Sequence, residues 1–118
     1  MKSGTDLINE AKQRITEVTP RAVKDALAGG ETRVLLDVRE PNEWNMGRVP
    51  GAVHIPRGIM ETSIEARVPR DANVVIYCAS GNRSALAADT LQQMGYSTVS
   101  SMSGGFRGWV DAGGDVEG

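Results

Sequence analysis

Cysteine and histidine each occur once in this chain, as Cys78 and His54. A single cysteine excludes an internal disulfide. One cysteine with one histidine cannot supply the four ligands of an ordinary zinc site, so no metal and no other cofactor is expected. Aromatic residues make up 4% of the chain, so Trp44, Phe106 and Trp109 are expected to pack in the core rather than to stack on a substrate. Charge of one sign is also missing: 13 basic residues face 15 acidic ones, with a net charge of -2 and an isoelectric point near 5.4. The clustered basic charge of a nucleic-acid-binding surface is therefore absent. No apolar run reaches membrane-spanning length. The first residues carry Asp6 and Glu10 in place of an apolar signal core, so secretion is not expected. The expected setting is the cytoplasm, with the thiol reduced.

The composition is otherwise that of an ordinary globular domain, with 40% hydrophobic and 24% charged residues in 118. Its punctuation is regular. Residues 1–14 form an amphipathic helical arm in which Leu7, Ile8 and Ala11 recur at helical spacing. Ile15–Val18 reads as a short edge strand. Thr19-Pro20 is a helix start, and Gly29-Gly30 stop that helix. Arg33–Val38 is almost continuously apolar, as in a strand buried on both faces of a parallel sheet. Glu40–Trp44 reads as a helical turn, Pro50–Pro56 as a brief strand, Gly58–Arg67 as a loose helix and Val74–Tyr77 as a strand. The clearest helix is Arg83–Met94, ended by Gly95, with Leu86, Ala87, Leu91 and Met94 inward. Ser97–Ser100 is a last strand, Gly104-Gly105 opens a closing helix, and residues 113–118 form a tail expected to fray. Five short strands alternate with helices, which gives an α/β fold with a mainly parallel sheet.

Chemistry concentrates where the Val74–Tyr77 strand ends. Cys78 opens the loop Cys78-Ala79-Ser80-Gly81-Asn82-Arg83-Ser84, and a helix follows at once. Ligands of open parallel sheets sit beyond the carboxyl ends of the strands. The loop amides and the helix start form a ring of donors that suits a thiolate, a persulfide or an incoming oxyanion. That field should lower the Cys78 pKa. Arg83 adds a permanent positive charge, Gly81 eases the turn, and Ser84 can cap the helix or donate to the sulfur. A bare cysteine is most often a small buried hydrophobe, and the loop setting is what favours a nucleophile here. His54 lies on a different strand end, so it reads as a structural histidine rather than a base for the thiol. Chemistry that needs no proton transfer, such as sulfane sulfur transfer, fits best.

Four blocks in order resemble the rhodanese (sulfurtransferase) family. They are LLDVREPNEW at 35–44, GRVPGAVHIP at 47–56, VVIYCASGNRS at 74–84 and SMSGGFRGW at 101–109. The resemblance covers about residues 15–112. It implies a five-stranded parallel sheet with helices on both faces. It also implies a Cys78 persulfide held by the amides of Ala79 through Ser84, with Arg83 closing the loop and attracting the donor anion. The donor would be thiosulfate or a persulfide, and the acceptor a thiol, a cyanide-like nucleophile or a protein. Asp37 is expected to orient the loop or neighbouring turns, and Arg39 to pair with Glu43. Arg57 is placed either at the pocket rim or on the plain surface. Members often carry histidine where Arg48 stands and proline where Asp115 stands; neither position touches the expected chemistry.

Two other classes compete. Phosphatases and arsenate reductases of related architecture use a Cys-x5-Arg loop, whereas four residues separate Cys78 from Arg83. The shorter ring suits one sulfur atom rather than a tetrahedral phosphate or arsenate. A non-catalytic binding module is the second alternative, and inactive relatives usually lose the cysteine kept here. The arm lies outside the common core, so the chain is expected to be a monomer or a weak homodimer formed through that arm.

Overall fold

Alternation along the central strands creates the layers. Val34, Leu36, Val74 and Ile76 pack into one apolar cluster, while Leu35, Val75 and Tyr77 pack into another. Side chains on a strand point alternately to opposite faces, so such strands need cover on both. The computed structural model describes residues 1–118. The elements are α1 (Gly4–Arg14), β1 (Thr16–Val18), α2 (Pro20–Ala28), β2 (Val34–Asp37), α3 (Pro41–Asn45), β3 (Val53–His54), a 3-10 turn (Arg57–Ile59), α4 (Met60–Arg67), β4 (Asn73–Tyr77), α5 (Asn82–Gln93), β5 (Thr98–Met102) and α6 (Gly105–Asp111). The sheet runs β1-β5-β4-β2-β3 and every pair is parallel. The expected α/β architecture is the one adopted.

On one face, Leu36, Val38, Ile76 and Cys78 meet Met60 and Ile64 of α4 and Ala87, Ala88 and Leu91 of α5. On the other, Leu35, Val75, Tyr77 and Met102 meet Val23 of α2 and Trp109 of α6. Each large apolar side chain buried this way contributes about 1.5–3 kcal/mol. No helix is long and apolar enough to cross a membrane.

Local signals explain the helix ends. Thr19 Oγ1 accepts from the Ala22 amide at 3.1 Å and Pro20 opens α2, both as the sequence indicates. Ser3 and Asp6 form a reciprocal capping box at the start of α1. This arm packs along α5 of its own domain. Ala11 is fully buried, Arg14 grips Asp89 at 3.0 and 2.8 Å, and Lys12 reaches the Asn82 side chain at 3.1 Å. Leu7 stands in solvent and Leu86 is only half-buried, so the inward stripe on each helix is narrower than the spacing suggests.

Two expectations are corrected. The last strand extends to Met102 rather than stopping at Ser100, because Ser100 and Ser101 are buried in an interior strand between β1 and β4. The tail beyond Gly113 folds back onto the domain rather than extending away from it. Trp109 Nε1 donates to the Asp115 carbonyl at 2.7 Å, and Arg48 and Glu117 exchange backbone hydrogen bonds of 2.9 and 3.0 Å. Gly113, at φ +81°, turns the chain back, and Gly114 lies against the Trp109 indole where a Cβ would collide.

Candidate active site

β4 delivers Cys78 to the carboxyl end of the sheet, buried and on the α5 side. The chain then turns through Gly81 at φ +106° into α5. A Cβ on Gly81 would press on the Gly104 amide at 3.3 Å, so the turn needs glycine for both conformation and space. The first turn of α6 locks the other side of the loop. Phe106 N donates to the Cys78 carbonyl at 2.7 Å, and Arg107 N to the Ala79 carbonyl at 3.2 Å. Gly105 passes so close that a Cβ there would sit 2.5 Å from the Cys78 carbonyl oxygen.

Two backbone amides donate to the sulfur, Gly81 N at 3.1 Å and Ser84 N at 3.4 Å, and the thiol donates to Ser84 Oγ at 3.5 Å. Burial pushes the thiol pKa up, but hydrogen bonds from the Ser84 hydroxyl and from the amides of Ser84, Gly81 and Ser80 outweigh it, leaving the pKa below its ordinary value. Behind Ser84, its Oγ lies 2.8 Å from Ser101 Oγ on β5, and both serines are fully buried.

The ion pairs differ from the expected ones. Arg39 does not pair with Glu43. It pairs with Asp37, through contacts of 3.1, 3.1 and 2.7 Å, and donates to the Gly47 carbonyl at 2.7 Å. The reason is local: the chain bends at Arg39 just past β2, and the Arg39 amide donates to Asp37 Oδ1 at 2.9 Å, which brings the guanidinium onto the same carboxylate. Burial works against the Arg39 charge, and the Asp37 carboxylate more than restores it. The Arg39 guanidinium lies over Phe106 at 4.4 Å and near the Tyr77 ring at 5.6 Å. Burial and the Asp37 charge push the Tyr77 hydroxyl pKa up. Asp37 thus braces the turn through Arg39.

Glu43 instead takes Arg83, at 2.7 and 3.0 Å. Its Oε1 also accepts from Glu40 N at 2.9 Å, a capping contact that fixes the carboxylate at the start of α3. Arg83 therefore closes the loop by reaching α3, and its charge is balanced rather than free.

The remaining sequence candidates divide. Ala79 lines a cleft of about 330 Å³ with Arg39, Phe106, Arg107, Val110 and Asp111, whereas Ser80 is exposed and Asn82 holds Lys12. Arg57 bonds Glu61 at 2.8 Å and Thr90 at 3.3 Å, which ties it to α4 and α5 rather than to the loop. His54 stacks on Trp44 at 4.7 Å and donates to the Arg39 carbonyl at 2.8 Å, so its Nε2 is occupied structurally. Trp109 and Phe106 pack as expected. Neither Ser101 nor the Glu43–Arg83 pair is evident from the sequence: the polar segment Thr98–Ser101 resembles a surface strand, and nothing local marks the pair.

Known proteins resemble this chain along most of its length. Residues 19–112 match the family model described as Rhodanese-like domain. A sulfurtransferase of Allochromatium vinosum is 34% identical over 96 residues, covering 81% of this chain and 89% of that protein. A probable adenylyltransferase/sulfurtransferase of Mycobacterium tuberculosis is 36% identical over 94 residues, and the matched region is 79% of this chain but 24% of that protein. Among solved structures, a Rhodopseudomonas palustris protein of unknown function, described as a possible tyrosine phosphatase, has a TM-score of 0.90 and 35% identity. That match covers 99% of this chain and 96% of the other.

Proposed function

The chain belongs to the rhodanese-like domain family, and from that membership we propose that it is a sulfurtransferase carrying sulfane sulfur on Cys78. The observation that carries the reading is the convergence of Gly81 N, Ser84 N and Ser84 Oγ on Sγ. Preorganised donors favour a sulfur anion in a buried place where water cannot solvate it. The Cys78 thiolate attacks the outer sulfur of thiosulfate. A new S–S bond forms, the donor S–S bond breaks, and its electron pair leaves with sulfite. The charge stays on the terminal sulfur of the persulfide. A nucleophilic acceptor then attacks that sulfur, and the electron pair returns to the Cys78 thiolate. Neither step needs a proton, which agrees with a histidine engaged elsewhere. A persulfide donor serves by the same exchange. The acceptor is a thiol, cyanide or a cysteine on another protein.

The cytoplasm, which keeps a lone thiol reduced, suits this chemistry. The packing of α1 on its own α5 supports a monomer. A phosphate ester fits less well: the loop amides point at Sγ itself, and Arg83 is held by Glu43. A binding module would have no use for the donor ring.

The test is intact mass after incubation with thiosulfate, followed by cyanide. One added sulfur, about 32 Da, on the wild type and none on Cys78→Ser is expected, with thiocyanate released on adding cyanide. No gain from thiosulfate or from a low-molecular-weight persulfide would overturn the reading. Turnover of an aryl phosphate instead would favour the phosphatase.

A further inference from the structure

Ser101 is a polar residue in the interior of the sheet. It sits on β5 opposite Ile76 of β4, fully buried, where an aliphatic side chain would satisfy the packing. A buried hydroxyl is costly unless it is hydrogen-bonded, and the partner of Ser101 is Ser84 Oγ at 2.8 Å. Ser84 Oγ in turn lies 3.5 Å from Cys78 Sγ. The three side chains form a line from the middle of the sheet to the sulfur.

A hydroxyl has one proton to donate and lone pairs to accept with. A sulfur anion only accepts. When Cys78 is a thiolate, Ser84 can bond it only by donating its hydroxyl hydrogen, and Ser84 Oγ is then left as an acceptor for Ser101. When the sulfur is protonated, the line can run the other way. Without Ser101, the Ser84 hydroxyl has a competing acceptor in the carbonyl one helical turn back, a common resting place for a helix serine.

We propose that Ser101, a strand residue outside the loop, is a positioning residue for the sulfur site, acting by holding the Ser84 hydroxyl in its donor orientation toward Cys78. This deepens the sulfur-carrier reading and rests on it for its kinetic consequence. The Arg83 charge couples to Cys78 and is paired with Glu43, and substitution at Ser101 leaves both in place.

The experiment is the pH dependence of Cys78 alkylation by iodoacetamide in the full chain. Wild type is compared with Ser101→Ala, Ser84→Ala and the double variant. Ser101→Thr and Ser101→Val form a second pair of equal size that differ only in the hydroxyl. Ser101→Ala is expected to move the alkylation midpoint up by about half a unit to one unit. The double variant is expected to move no further than Ser84→Ala, because Ser101 acts through Ser84. Ser101→Thr should follow wild type and Ser101→Val should follow Ser101→Ala. A midpoint unchanged in both Ser101→Ala and Ser101→Val would overturn the proposal, as would a further shift in the double variant. Alkylation needs no sulfur donor, so these outcomes judge Ser101 even if thiosulfate fails to load the protein.

Discussion

Arg83 and Glu43, forty residues apart, meet in a two-pronged ion pair of 2.7 and 3.0 Å that fastens the Cys78 loop to α3. Both side chains keep about a third of their surface exposed, 36% and 28%. The pair is therefore worth at most about 1 kcal/mol of stability. Its effect on charge is larger. The one cation of the loop arrives with a counter-ion, so an incoming dianion meets a balanced pair instead of a bare guanidinium.

Glu43→Gln should expose that balance. With Arg83 released, the KM for thiosulfate is expected to fall by about threefold at low salt, with the gain lost at high salt. Steady-state kinetics at two ionic strengths read it, and an unchanged KM would mean that Arg83 does not meet the donor. The same variant has an acid signature. Hydrogen bonds from Arg83 lower the Glu43 pKa from its ordinary 4.5 to about 2, against the effect of burial. A depressed carboxyl pKa stabilises the fold above the unfolded value and loses that contribution as pH falls through the folded one. Urea midpoints of wild type and Glu43→Gln should thus differ at pH 5 and converge toward pH 2.

Asp37→Asn should be far more damaging than its distance from the sulfur suggests. Arg39 is 4% exposed and would keep its charge with no carboxylate beside it. Breaking a buried pair from one side costs about 3–5 kcal/mol. Chemical denaturation reads the loss. A cost under about 1 kcal/mol would show that the Gly47 carbonyl and the aromatic faces alone can hold Arg39.

Gly105→Ala tests the close packing of α6 on the loop. The added methyl would lie 2.5 Å from the Cys78 carbonyl and 2.6–2.7 Å from Ala79 backbone atoms, at a φ of +57°. All of these neighbours are backbone, so the loop itself must move. Sulfur loading is expected to drop at least about tenfold, while far-UV circular dichroism stays that of a folded α/β domain.

Removing residues 1–14 should uncover α5. Ala11 is fully buried and Arg14 is doubly bonded to Asp89, so about 2 kcal/mol is at stake. A fall in Tm of about 8 °C is expected for a chain of this size. Sedimentation of the truncated chain should also show concentration-dependent association through the bared helix. Unchanged sedimentation and Tm would mean that the arm contributes nothing to its own domain.

Element order was legible because proline, glycine and apolar runs mark it directly: Thr19-Pro20, Gly29-Gly30 and Val74–Tyr77 each act locally. The loop was legible because strand, small residues and helix follow one another without interruption. The choice of partners among charges was not. Arg39 lies as near Glu43 in sequence as a helical ion pair would, yet it precedes α3 in a bend whose amide is already held by Asp37. Glu43 finds its partner only after β4 and α5 are in place. Ser101 was hidden for a related reason: a serine-rich segment reads as near the surface until the sheet order puts β5 between two strands. Local chemistry is written in the sequence, whereas pairings across the chain depend on topology.

The sulfur's position is finally a matter of parity. Val74, Ile76 and Cys78 share one face of the sheet, while Val75 and Tyr77 share the other. Insertion or loss of a single residue in β4 would turn the sulfur toward Trp109 and away from Ser84, even with every loop residue intact. A change of two residues would restore the face and shift only the depth. Variation in the length of this strand is therefore tolerable in even steps alone, a counting rule that no side chain in the loop encodes.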